Sequence, residues 1–275
     1  MAAASGLQIQ FRDGVDASTM SSTTLPQGKV LSDEPGYLGS WRGHLDILNH
    51  IVHSGIRSAL ILEDDVDWDM QIRDQMASVA NALSHARTDE SMGELAASWD
   101  VLWLGHMGDR ISQADPSRVL VHDTSVVPVD SRPPGFNDPA AFPDETRVIH
   151  RTDYPLCTYG YAVSYEGAKS ILYQMSRNLI EHFDTDLANY CRTTYNCLSV
   201  TPPLIYETKE PGRGSDTDGA SMSGTIIPNQ AHVFKNSTRA FVDEHVGRNG
   251  PPRTNWLTRQ EFQDRFDQAK GILHK

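Results

Sequence analysis

Residues 58–69 read Ser-Ala-Leu-Ile-Leu-Glu-Asp-Asp-Val-Asp-Trp-Asp. Four apolar residues, Ala59 to Leu62, run straight into Glu63, Asp64 and Asp65, with Asp67 and Asp69 close behind. Carboxylates this close raise the cost of ionising one another, so the stretch asks for compensation, and a divalent cation is the simplest source. The apolar run is continuous rather than alternating, which suits a parallel strand buried on both faces.

The neighbouring patterns extend that reading. Trp41, Leu45, Leu48, Ile51 and Val52 recur at helical spacing, so 40–54 is an amphipathic helix ended by Gly55. A second helix is expected over 71–87, with Ile72, Met76, Val79 and Leu83 on one side. Trp99 to His106 repeats the device of an apolar strand that stops at a polar end, and Thr158 to Ser164 reads as a third buried strand. Ser164 is placed to cap a helix over 165–176. Leu7 to Phe11 alternates like a strand, and Leu198 to Glu207 gives a last one. Strands alternating with helices predict an α/β fold with a mostly parallel, Rossmann-like sheet flanked by helices. In such sheets ligands bind beyond the carboxyl ends of the strands, where Glu63, Asp64 and Asp65 fall.

Residues 108–155 are rich in Pro and Asp and read as a long surface excursion with room for a hairpin. Residues 209–224 form a glycine-rich loop, and the tail from 228 to 275 reads as a polar extension carrying one helix-like piece over 258–273. The main domain is therefore expected over 1–227.

Composition narrows the function. The 275 residues are 39% hydrophobic, enough for a sizeable core, and 24 basic against 36 acidic residues give a net charge of −12. That balance argues against nucleic acid or an anionic membrane as partner. No stretch approaches the roughly 18 apolar residues of a spanning helix, and the first residues lack the features of a signal peptide. Cys157, Cys191 and Cys197 are too few for a disulfide scaffold and lack zinc-site spacing; a Cys191–Cys197 pair is left open. Asn236-Ser237-Thr238 is a single glycosylation sequon.

Two readings of the acid cluster stand side by side. One is a solvated turn whose acids cap the next helix. In the other, hard oxygen ligands at a rigid strand end hold Mg²⁺ or Mn²⁺, a phosphate completing the shell. Trp68 and Asp69 fit better as residues that fix the loop.

The segments Gly39–Val52, Ala59–Asp69 and Trp99–His106, taken together and in this order, resemble glycosyltransferase family 25 in its fungal form. The resemblance continues through residues 158–175, His182–Ala188 and Pro202–Glu207 to the Ser215-Asp216 pair, and Leu7–Ser18 is similar to an early Phe-x-Asp-Gly-Val strand. It spans about Gly6 to Asp216. The family includes lipopolysaccharide and collagen galactosyltransferases. The resemblance implies a GT-A fold, a UDP-sugar donor (usually UDP-galactose), a glycan or glycoprotein hydroxyl as acceptor, Mn²⁺ or Mg²⁺ as cofactor, and inversion at the transferred sugar. It places the metal at Glu63, Asp64 and Asp65, and the catalytic carboxylate at Asp184 or Asp186. Donor-binding roles are expected for Asp13, Ser40, His44, Trp103, Lys209, Arg213 and Ser215.

Several of these residues have a plainer reading too. Asp is favoured at any helix N-terminus, a lone His44 serves as well by bonding a neighbouring carbonyl, Trp103 fits the core, and Lys209 and Arg213 fit a solvated loop as well as a lid over the diphosphate. Two departures stand out: Gly43 replaces a common Ser, and the family's opening arginine-rich strand is missing before Gly6. The missing strand makes a catalytically silent nucleotide-sugar- or glycan-binding remnant the alternative expectation. It also leaves location conditional: the secretory pathway if an N-terminal anchor precedes this chain, and otherwise a soluble cytoplasmic protein.

Overall fold

The computed structural model describes residues 1–26, 35–208 and 234–244, apart from 89, 91, 112–114, 116, 134, 178 and 195. Helix α1 (Pro35–His53) starts five residues before the expected position, with Pro35 at its first turn, where the missing amide is harmless. Gly55, at φ +61, then turns the chain into β1 (Ser58–Leu62). A short strand β2 (Val66–Trp68) and helices α2 (Ile72–Ala86) and α3 (Gly93–Ser98) lead to β3 (Val101–Gly105). Strands β4 (Val119–His122) and β5 (Thr146–Arg151) follow, then β6 (Gly160–Ser164) and α4 (Tyr165–Met175). The Ser164 side chain accepts the Gly167 amide, the cap expected from sequence. Helix α5 (Phe183–Thr194), β7 (Cys197–Thr201), β8 (Ile205–Glu207) and a short α6 (Thr238–Val242) complete the order.

The chain is α/β, with a six-stranded sheet in the order β1-β6-β3-β7-β5-β4 and helices on both faces. Strand directions differ from expectation. Among the described residues only β3 and β7 pair in parallel; β6 runs antiparallel between β1 and β3, and β5 pairs antiparallel with β7 and β4. β1 lies at one edge of the sheet, with Ile61 buried in one core, Leu62 packed against the other and Leu60 exposed. β1, β3 and β7 still point the same way, so their carboxyl ends share one edge of the sheet. The amino-terminal end of β6 lies on that edge as well.

Side chains alternate between two cores. Val101, Trp103, Tyr161 and Val163 pack with α1, α4 and α5, while Leu102, Leu104, Leu198 and Val200 pack with α2, α3, β2 and β8. Residues 119–122 and 146–151, inside the stretch read as a surface excursion, extend the sheet, and Val148 and Ile149 are fully buried. Leu7 to Phe11 is irregular rather than a strand: Leu7 and Ile9 rest on the second core while Phe11 is exposed. The expected last strand is two. Pro202 and Pro203 lack the amide a ladder needs, so the chain leaves β7 and β8 pairs with β2 instead. There the backbones crowd: a Cβ on Gly105 would lie 2.7 Å from the Gly160 nitrogen and 2.8 Å from the Ile205 carbonyl oxygen.

Buried Arg147 fixes this corner. Its Nε donates to Asp123 at 2.5 Å, and one terminal nitrogen donates to the carbonyls of Pro202 at 2.6 Å and Pro203 at 2.9 Å. Cys191 and Cys197 form a disulfide between α5 and β7, with Cα atoms 5.3 Å apart. Among the described residues no helix is long and apolar enough to cross a membrane. The expected helix over 258–273 lies outside the described residues.

Candidate functional site

The site is built where β1 ends. The Glu63 amide donates to the Tyr159 carbonyl at 3.2 Å, carrying the β1–β6 pairing one bond further. That bond brings the start of β6 beside the acids, and Thr158 Oγ1 donates to Glu63 Oε1 at 2.7 Å. Asp65 follows in the turn into β2, its carbonyl accepting the Thr208 amide at 2.7 Å. Because β8 pairs with β2 in the register Val66 to Glu207, Glu207 is delivered, buried, to the same neighbourhood. Asp184 arrives from the first turn of α5, its Oδ2 accepting the Cys157 amide at 2.8 Å.

Electrostatics record this convergence. Burial pushes the Glu63 carboxyl up to about 7, and Asp65, Asp184 and Glu207 push the same way, against the Thr158 hydrogen bond. Burial also lifts the Cys157 thiol to about 12, with Asp184, Glu63 and Glu207 adding to it. Four carboxylates from β1, the following turn, α5 and β8 thus act on one small region. Asp64, between Glu63 and Asp65, is exposed. Among the described residues no three His, Cys, Asp or Glu side chains come together closely enough to hold a metal ion by themselves.

The other expected residues divide. Asp186 turns away from the acids, its carboxylate accepting the amides of Ile180 at 3.1 Å and Glu181 at 3.3 Å. His44 is buried, as are Leu45 and Leu48 on the same helix. Its ring stacks on Phe183 at 4.1 Å, its Nδ1 lies 3.0 Å from the Tyr161 hydroxyl, and burial lowers it to about 4. That makes it a neutral core residue rather than a donor contact. Trp103 is likewise fully buried, and its indole donates to the Cys157 carbonyl at 3.0 Å, so it supports the site from below instead of lining a sugar pocket. Ser40 is half-buried on α1, and Asp13 is exposed in the irregular segment before it. Lys209, Arg213 and Ser215 lie outside the described residues.

Asp67 and Asp69, the tail of the acid run, serve the loop. Asp69 accepts the amides of Gln71 and Asn236 at 2.9 Å each, and Asp67 accepts those of Trp68 at 2.8 Å and Arg239 at 3.0 Å and the Ser237 hydroxyl. They strap residues 236–239, sequon included, onto β2.

Sequence reasoning missed Cys157, Thr158 and Glu207. A parallel β6 would have put Thr158 at the far edge of the sheet, and an unbroken strand to Glu207 hid its pairing with Val66. The one available signal was Pro202-Pro203, which forbids that unbroken strand.

No protein-family model matches the chain. It is similar to procollagen galactosyltransferase 1 of Danio rerio, 20% identical over 206 residues, which covers 68% of this chain and 28% of that protein. It is also similar to procollagen galactosyltransferase 2 of Homo sapiens and of Mus musculus, 19% identical over 247 and 244 residues, each covering 78% of this chain and 34% of the relative. The chain therefore spans about a third of the length of the curated relatives it matches, and its distant relatives are galactosyltransferases.

Proposed function

We propose that the chain is the catalytic domain of an inverting glycosyltransferase that moves a hexose, galactose first among candidates, from a UDP-sugar to a hydroxyl acceptor. The observation that carries this reading is the placing of Asp184, from α5, and Glu63, after β1, on the consecutive residues Cys157 and Thr158. Inverting transfer needs a carboxylate on the acceptor side, apart from the acids that face the diphosphate. The relatedness to galactosyltransferases supports the choice of reaction.

In this reading Asp184 takes the proton of the acceptor hydroxyl as its oxygen attacks the anomeric carbon and the bond to UDP breaks. Glu63 and Asp65, with exposed Asp64 beside them, would hold Mn²⁺ or Mg²⁺. The donor set is all oxygen, and a cation would offset both the burial that chiefly raises Glu63 and the smaller push of its neighbouring carboxylates. Such ions are held by one or two carboxylates with phosphate and water filling the shell, so a third protein ligand is not required. When bound, the ion supplies charge neutralisation on the leaving diphosphate.

The test is to titrate UDP-galactose and UDP-glucose with and without Mn²⁺, following thermal stability and UDP release. Metal-dependent binding with UDP release supports transfer. Binding without release makes the chain a silent nucleotide-sugar-binding protein, and no binding with either donor sinks both readings.

A further inference from the structure

The two acids that the proposed reaction separates, Glu63 and Asp184, are tied to consecutive residues of one short turn. Cys157 gives its amide to Asp184 Oδ2 at 2.8 Å, and Thr158 gives its hydroxyl to Glu63 Oε1 at 2.7 Å. Between them the backbone has little freedom. Cys157 sits at φ +64, a left-handed conformation that non-glycine residues adopt only when their surroundings impose it. Its carbonyl is held by the indole of fully buried Trp103 at 3.0 Å, and the Tyr159 carbonyl is held by the Glu63 amide at 3.2 Å. Every polar group named here is a donor–acceptor match, so turning either carboxylate breaks a bond at a partly buried position.

We propose that Cys157-Thr158 is a rigid bracket that sets the distance and orientation of Asp184 relative to Glu63, with Thr158 as its positioning residue and Trp103 as its footing. The proposal rests on the transferase reading for its purpose, but not for its mechanics. Thr158 is not a catalytic residue, since it touches Glu63 and not a reacting atom. A bracket explains why the strained residue is the one between the two bonds, where Gly would be easier but looser.

The experiment separates the mechanics from the purpose. Amide hydrogen exchange at Cys157 is measured in the full chain, in Thr158→Val and in Thr158→Ser. Val keeps the shape and deletes the hydroxyl, while Ser keeps the hydroxyl. If the two bonds act as a unit, Thr158→Val speeds exchange at Cys157 about tenfold or more, the scale of one hydrogen bond to a charged group, and Thr158→Ser restores protection. Unchanged protection in Thr158→Val means that the two acids are held independently, and overturns the bracket whether or not the protein transfers sugar.

With UDP-galactose and Mn²⁺, Thr158→Val is expected to lower kcat by about tenfold to a hundredfold, the effect of misplacing a reacting group, while donor KM stays within about twofold. Rescue of kcat by Thr158→Ser completes the case. A change confined to KM, or a kcat equal to that of the native chain, overturns the positioning role. Absence of turnover in the native chain counts against the transferase reading, and the exchange result then decides the bracket.

Discussion

Asp184 and Asp186, two residues apart on the first turn of α5, bind amides from different segments: Asp184 Oδ2 accepts from Cys157 at 2.8 Å, and Asp186 Oδ2 accepts from Ile180 at 3.1 Å. A single turn of helix thus carries one carboxylate toward the acids of β1 and one back onto its own approach. Asp184→Asn is expected to leave folding and donor affinity near native while lowering turnover by about two to four orders of magnitude, the scale of general-base loss. Near-native turnover in this variant would remove Asp184 from the mechanism.

Asp186→Ala should do the reverse. It deletes the acceptor for two amides before α5, a loss comparable to removing a helix cap, about 1 kcal/mol. The midpoint of thermal unfolding should fall by a few degrees while turnover stays within a few-fold. A dead but fully stable Asp186→Ala would show that the two aspartates have exchanged roles.

Glu63 is held at a cost to the fold. Its carboxyl titrates near 7 in the folded chain against an ordinary 4.5. Between those values the folded state holds a proton that the unfolded state has lost, so this group's stability is full below pH 4.5 and fades as pH rises to 7. With a chelator present, Glu63→Gln should unfold at a higher temperature than the native chain at pH 8 and show no such gain at pH 4. A destabilised Glu63→Gln at pH 8 would contradict the burial argument.

His44 and His106 have the opposite sign. Both are buried and both are lowered by burial to about 4 from an ordinary 6.5. The unfolded chain takes up their protons first, so stability is lost as pH falls from 6.5 toward 4. Relative to the native chain, His44→Gln and His106→Gln should each fare better at pH 4.5 than at pH 7.5. A constant difference across that range would mean that these histidines do not titrate with unfolding.

Arg147 is predicted to matter more than any surface charge. Arg147→Met strands Asp123 and two carbonyls, and losing one partner of a buried pair typically costs about 3–5 kcal/mol. Urea unfolding should show a loss on that scale, and a loss near zero would mean that water replaces the guanidinium.

The parts legible in the sequence were those set by nearest neighbours. The periodicity of Trp41, Leu45 and Leu48 marked α1, the run Ala59–Leu62 marked β1, and Ser164 marked the start of α4. What could not be read was set by partners far along the chain. Nothing in Gly160–Ser164 itself reports which strands it will lie between, so its antiparallel direction is not legible there. The alternation of Leu7–Phe11 imitates a strand, but among the described residues no strand pairs with it. Glu63, Asp65 and Asp184 were visible as acids in a suggestive order; that Thr158 and Glu207 join them depends on β6 reversing and on β8 leaving the sheet. Trp103 and His44 looked available because solvent access is a property of packing, which local pattern does not encode.

The reversal of β6 also bears on how the chain is made. β1 and β3 are synthesised early, yet neither touches the other in the finished sheet, because the strand between them is drawn from residues 160–164. At roughly 5–20 residues per second on the ribosome, the stretch from Gly105 to Gly160 takes several seconds to appear. Throughout that interval two apolar strands wait with unpaired ladder groups. Long-range pairing of this kind is slow to form and open to wrong partners, so a nascent chain halted before β6 presents two strands that still lack the partner they share.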